Sequence, residues 1–166
     1  DTKALPTLKY VHPLSQSKWL TANKYNAWSD SATILKFENM VKFNNYLVKA
    51  CKQKGVPIVA GTDAGTSSVV PGFTLHDELE LCVAAGLTPQ EALCSATKLS
   101  ANWLGIESMV GSIEIDKLAD LVLLEANPFS NIKNTRKIAG VFINGLWMDK
   151  KKIDVILSEL AKWNNA

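Results

Sequence analysis

From Ser31 to Lys54 apolar residues recur at helical spacing: Phe37, Met40, Val41, Leu47, Val48 and Cys51 fall on one face, with Asn39, Lys42, Lys49 and Gln53 opposite. The pattern predicts a long amphipathic helix ended by Gly55. Val56 to Ala60 is a short apolar run of β-type composition between glycines, expected to be a buried strand, with Pro57 tolerable near its start. Gly61 to Gly72 is rich in Gly, Thr, Ser and Asp and reads as a polar loop, and a new helix is expected from about Thr74. This order gives a βα unit with its loop at the strand's C-terminal end.

Two helix starts are visible. Thr74 with Asp77 resembles a capping box, and Thr88-Pro89-Gln90-Glu91 is a fuller one, with proline at the first helical position. Gly86 and Gly105 are the expected stops. Beyond Gly105 strands are expected at Val110 to Ile115, Leu121 to Leu124 and Ile138 to Ile143. The last is joined to Leu146-Trp147-Met148 through Asn144-Gly145, a strong hairpin signal. Asp154 to Trp163 reads as a packing helix, with Val155, Ile156, Leu160 and Trp163 at helical spacing. The opening through about Asp30 has no clean period and is read as loop, with a short helix near Gln16 to Thr21. No internal repeat or low-complexity tract is visible.

A chain of 166 residues, 47% hydrophobic, can bury one sizeable core, and reads as one domain or one piece of a larger one. The net charge of +2 names no polyanionic partner, and no nucleic-acid binding is expected. The run Lys150-Lys151-Lys152 reads as a solvated turn. Cys51, Cys82 and Cys94 have no Cys-x-x-Cys spacing and are expected to be buried reduced thiols. No apolar run reaches the roughly 18 to 20 residues needed to cross a bilayer, so no membrane partner is expected. The first residues do not look like a signal peptide, and nothing names a compartment. The chain begins without methionine, which suggests an upstream segment.

Asp63, in Gly61-Thr62-Asp63-Ala64-Gly65, is the first candidate for chemistry, because α/β folds place functional groups immediately after buried strands. The plainer alternative is an Asx turn, in which the carboxylate merely bonds nearby backbone. His76, in the first turn of the following helix, could face the same mouth, although a histidine there is more often a surface residue. His12 has no partner at ligand spacing. Asp77, Glu78 and Glu80 form an acidic patch that the helix dipole favours without any catalytic purpose. Two histidines, with no His-x-His, no Glu-x-x-His and no Gly-x-Ser-x-Gly, give a site edge and no complete site.

These motifs carry a resemblance. Gly55-Val56-Pro57-Ile58-Val59-Ala60-Gly61-Thr62-Asp63-Ala64-Gly65 resembles the eighth barrel strand of the amidohydrolase superfamily, and Leu75-His76-Asp77-Glu78-Leu79-Glu80-Leu81 with Ala85-Gly86-Leu87-Thr88-Pro89 resembles the helix after it. The similarity runs on through Glu91-Ala92-Leu93, Gly111-Ser112-Ile113-Glu114, Lys117-Leu118-Ala119-Asp120-Leu121-Val122, Asn127-Pro128 and the Val141 to Gly145 hairpin. Val70-Pro71-Gly72-Phe73 leading into His-x-Glu-Leu looks most similar to the imidazolonepropionase-like and Xaa-Pro dipeptidase-like branch.

The resemblance implies an α/β fold: a (β/α)8 barrel with a small composite β-sandwich. A barrel needs about 250 residues, so this chain would hold only the C-terminal part. Residues 1–105 would be the last βα units, 106–149 the C-terminal strands of the sandwich and 150–166 a packing helix. It also implies hydrolysis of a C–N bond in a small amide, cyclic amide or dipeptide, with a divalent metal, often zinc, whose histidine and other ligands are not in this chain. Asp63 would be the one metal ligand here and the general base for the attacking water, while Thr62, Ala64 and His76 would line the substrate mouth. The chain alone would bind no metal and be inactive, and as a fragment it would self-associate. Gly111, Lys117, Asp120 and Asn127 would serve turns and hydrogen bonds away from that mouth. Two other readings stay open: a non-catalytic folding or oligomerisation module, and a phosphate cradle at Gly61 to Gly72, which lacks the P-loop spacing.

Overall fold

The computed structural model describes residues 2–21 and 30–165. Part of the opening read as loop, residues 22–29, lies outside them. Helix α1 spans Pro13–Thr21, starting three residues earlier than expected, and α2 spans Ser31–Gln53. Asp30 caps α2 by accepting a hydrogen bond from the Thr33 amide at 2.9 Å, and Gly55, at φ 68°, turns the chain away at the other end. Helices α3 (Thr74–Ala84), α4 (Pro89–Ser95) and α5 (Lys98–Leu104) follow. The stretch from Thr88 to Gly105 is thus two helices, broken at Ala96 and Thr97.

The Thr88 capping box is complete. The Thr88 hydroxyl accepts from the Glu91 amide at 3.2 Å, and the Glu91 carboxylate accepts from the Thr88 amide at 2.6 Å. The box expected at Thr74 does not form. Thr74 already lies inside α3, its hydroxyl donates back to the Val70 carbonyl at 2.9 Å, and Asp77 is engaged by Arg136.

The core sits where α3, α4 and a 3-10 turn at Ile132–Arg136 meet. Leu79, Cys82, Leu87, Ala92 and Ile132 are buried there, with Val48, Ile58, Val83, Leu93 and Ala96 packed around them. Cys82 is the buried thiol; Cys51 and Cys94 are half-buried, and all three are free.

Strands β1 (Leu121–Leu124), β2 (Ile138–Ile143) and β3 (Leu146–Asp149) form an antiparallel sheet in the order β1-β2-β3. Asn144 and Gly145, both with positive φ, make the β2-β3 turn that Asn-Gly predicts. Asp120 locks it, accepting from the Asn144 amide at 2.7 Å, while the Gly145 amide donates to the Ala119 carbonyl at 3.2 Å. Other residues of the resemblance also serve local structure, as expected. Lys117 donates to Ser112 and pairs with Glu114, and Asn127 accepts from the Phe129 amide. A Cβ at Gly111 would meet the Ala101 Cβ at 2.6 Å, at a backbone φ of 93°.

Two expected strands do not form among the described residues. Val110 to Ile115 is irregular, and Ile113 and Ile115 are 86% and 92% exposed. Val56 to Ala60 runs without a strand partner. A strand's amides and carbonyls need at least one paired neighbour, and none of β1 to β3 lies beside this segment. It is held instead at its end, where the Ala60 amide donates to the Ser95 carbonyl at 3.1 Å.

Helix α6 spans Lys150–Asn164, with Asp149 capping the Lys152 amide at 2.8 Å. The three lysines are solvent-exposed, as expected, and form the first turn of this helix. The helix packs on β2, β3 and a 3-10 turn at Leu8–Tyr10. Its packed positions are Ile153, Leu157, Ala161 and Asn164, while Val155, Ile156, Leu160 and Trp163, expected to pack, are exposed. The apolar face of α2 is likewise largely open: Met40, Val41 and Leu47 are exposed, and Phe37, Val48 and Cys51 half-buried.

Candidate active-site edge

Asp63 stands at the end of the unpaired extended segment, with φ at 51°. Left-handed backbone is costly for a residue with a Cβ, and aspartate is among the few that tolerate it. The turn that follows is built from backbone. The Asp63 carbonyl accepts from the Thr66 amide at 3.3 Å and the Thr66 hydroxyl at 3.1 Å, and the Gly65 amide donates to Val69 at 3.2 Å. The carboxylate itself has no hydrogen-bond partner among the described residues, and the side chain is exposed. An Asx turn would occupy that carboxylate, so the plainer reading of Asp63 does not describe its geometry.

The neighbours are positioned from several sides. Thr62 is half-buried, and Ala64 forms an isolated bridge with Thr66. The loop is fastened from the N-terminal segment, where the Thr2 and Ser68 hydroxyls lie 2.7 Å apart and the Tyr10 ring stacks on Phe73 with centroids 5.0 Å apart. Val70 is buried beneath, and its carbonyl accepts from the Phe73 and Thr74 amides at the start of α3. From α3, the Glu78 carboxylate accepts a long bond from the Gly61 amide at 3.4 Å.

His76 is half-buried in the first turns of α3, and no hydrogen bond joins it to Asp63. Its Nδ1 lies 3.0 Å from the Thr135 hydroxyl, on the 3-10 turn before β2. Next to it Arg136 spans two carboxylates, with Nη2 2.6 Å from Asp77 and Nε 2.9 Å from Glu80, and Lys133 lies 4.0 Å from Glu80. Burial, and then the Arg136 guanidinium, hold the His76 imidazole below its usual pKa, opposed by Asp77 and Glu80. Asp77 and Glu80 of the acidic patch therefore work as a receptor for Arg136, while Glu78 turns to the Gly61 amide.

Sequence reasoning missed Thr135 and Arg136. The available signal was that Arg136 is the single arginine among 18 basic residues, and arginine suits bidentate carboxylate contacts better than lysine. His12 accepts from the Leu14 amide at 3.2 Å and lies edge-on to Trp163, a structural role.

Among the described residues no group of three or more His, Cys, Asp or Glu side chains is placed to hold a metal ion. A tetrahedral metal asks for four ligands, and the free Asp63 carboxylate offers one position. These residues by themselves do not fit a metal site. Among them, too, no helix is long and apolar enough to cross a membrane.

The arrangement has counterparts. An imidazolonepropionase of Pseudomonas savastanoi pv. phaseolicola is 40% identical over 78 residues, which make up 45% of this chain and 19% of that protein. A crystal structure of a Xaa-Pro dipeptidase with bound methionine aligns at 28% identity and a TM-score of 0.59, covering 87% of this chain and 34% of that one. Bottromycin amidohydrolase aligns over 98% of this chain and 36% of its own with a TM-score of 0.80, a likeness of fold alone at 22% identity. The chain spans about a fifth of the length of the curated relatives it matches. The profile of the amidohydrolase family matches residues 27–148, and with it the turn of Asp63, the start of α3 and the three-stranded sheet: the chain belongs to the amidohydrolase family.

Proposed function

We propose that this chain is the C-terminal part of a metal-dependent amidohydrolase that hydrolyses a C–N bond in a cyclic amide, another small amide or a dipeptide, with Asp63 as general base. The observation that carries the reading is the pairing of left-handed backbone with an unspent, exposed carboxylate at the end of an extended segment. Asp116 shares the left-handed backbone and exposed carboxylate, at φ 68°, so what distinguishes Asp63 is its place at the C-terminal end of the extended segment, where α/β folds put functional groups. In this reading residues 1–105 are the last βα units of a (β/α)8 barrel, 106–149 the C-terminal sandwich strands and 150–166 the helix packed on them. The lack of pairing at Val56 to Ala60 supports this, since a barrel strand needs neighbours that the described residues do not supply.

Asp63 takes the proton of the attacking water as oxygen adds to the carbonyl carbon, and returns it to the leaving nitrogen. A divalent metal, zinc by family resemblance, would supply Lewis acidity there, with Asp63 as one ligand and the others outside these residues. Thr62, Ala64 and His76 line the mouth on the substrate side.

Asp63→Asn in the complete enzyme is expected to lower kcat by about 10²- to 10⁴-fold with the fold intact. Full turnover in that variant would overturn the reading. On this chain alone, metal analysis is expected to return near zero, and about one equivalent lost in Asp63→Ala would mean that it builds a site unaided.

A second reading, a non-catalytic folding or oligomerisation module, is favoured by the open apolar face of α2, where Met40, Val41 and Leu47 are each about half exposed. Such a face drives self-association. Sedimentation beside an assay of the complete enzyme separates the two: association with no activity anywhere supports the module.

A further inference from the structure

The hydroxyl of Thr135 has two neighbours and one proton. It lies 2.9 Å from the Ile132 carbonyl, which can only accept, and 3.0 Å from His76 Nδ1. If the proton went to Nδ1, two oxygens would face each other at 2.9 Å with nothing between them, on a threonine that is only 5% exposed. Donation to Ile132 places the proton between the two oxygens and leaves the hydroxyl's lone pair for an N–H at Nδ1. Around the ring, Arg136 from the same 3-10 turn opposes a second proton, while Asp77 and Glu80 of α3 favour one and are themselves held by Arg136. Nε2 has no partner among the described residues and is not buried.

We propose that Thr135 is a positioning residue that fixes His76 as the neutral Nδ1–H tautomer, so that the open Nε2 accepts a hydrogen bond from a donor on the substrate, an amide N–H, and does not bind a carboxylate. This rests on the reading of the Asp63 loop and the start of α3 as the substrate mouth. The consequence is a preference set from the small sheet's side of the molecule. Thr135 touches no substrate, yet it decides which face of hydrogen bonding the imidazole offers.

The test is ¹⁵N and ¹³C NMR of the His76 ring in the protein at neutral pH, a readout independent of turnover. The wild-type ring is expected to carry its proton on Nδ1. Thr135→Ser should keep it there, and Thr135→Val should release it to a mixture or to Nε2. An Nε2–H ring in the wild type, or an unchanged ring in a folded Thr135→Val, overturns the positioning role.

Titration with propionamide, against N,N-dimethylpropionamide as a probe lacking the N–H, tests the acceptor. A shift of the Nε2 resonance with the first and not the second supports it, whereas equal shifts or none overturn it. Neither probe requires hydrolysis, so failure of Asp63 as a base in the complete enzyme would leave these outcomes readable on their own.

Discussion

Asp63 and Asp120 are both exposed aspartates beside turns that need left-handed backbone, and the molecule treats them in opposite ways. Asp120 gives its carboxylate to the Asn144 amide at 2.7 Å, and the hairpin between β2 and β3 closes on that bond. Asp63 adopts the left-handed conformation itself, at φ 51°, and its carboxylate closes nothing. One aspartate is explained by the turn it makes. The other carries the conformational cost while its charge is left available for the chemistry proposed above.

The comparison can be broken by exchanging losses. The largest expected effect is on turnover: Asp63→Ala in the complete enzyme should lose about 10²- to 10⁴-fold in kcat, while Asp120→Ala should leave kcat within a few-fold. Equal losses would erase the distinction. Next in size, Asp120→Ala should cost about 1 kcal/mol of stability, the worth of one exposed hydrogen bond to a charged group, read as a lower midpoint in urea. Asp63→Gly should go the other way, stabilising by about 0.5 kcal/mol, because glycine adopts the left-handed region without a Cβ penalty and loses some of that gain to chain entropy. A destabilised Asp63→Gly would mean that the carboxylate holds the loop after all.

The smallest effect concerns acid. Lys52, bonded at 2.7 Å, and the Thr88 amide hold Glu91 at a pKa of about 2 against an ordinary 4.5. Its folded pKa is depressed, so its contribution is present above pH 4.5 and is lost as pH falls toward 2. Glu91→Gln should flatten the stability profile over that window. His76 adds a loss that begins higher: kept neutral below its ordinary 6.5, it costs the fold stability as pH drops beneath that value.

What was legible in the sequence was what is locally determined. The periodicity of Ser31 to Lys54, the Thr88 box and the Asn144-Gly145 turn each contain their own cause within a few residues, and each formed. The strands expected at Val56 to Ala60 and Val110 to Ile115 depend on pairing partners, which composition cannot supply. Thr74 looked like a cap because Asp77 stands three residues on, but Asp77 answers to Arg136, 59 residues away. For the candidate site, Asp63 and His76 could be nominated from their places beside the loop, whereas Thr135 could not: its meeting with His76, also 59 residues apart, exists only in the fold.

The stacking of Tyr10 on Phe73 has a consequence for how the Asp63 loop opens. The loop is fastened to residues 2–11 at Ser68 and Phe73, and those in turn rest on α6, just after which Asn165 reaches the Lys9 carbonyl at 3.5 Å. Amide protons of residues 61–73 are therefore expected to exchange with solvent in one cooperative unit with the N-terminal segment and not with α4, although α4 is nearer in sequence. Loosening the first eleven residues would raise the exchange rate around Asp63 while leaving the Leu79–Ala92 core as protected as before.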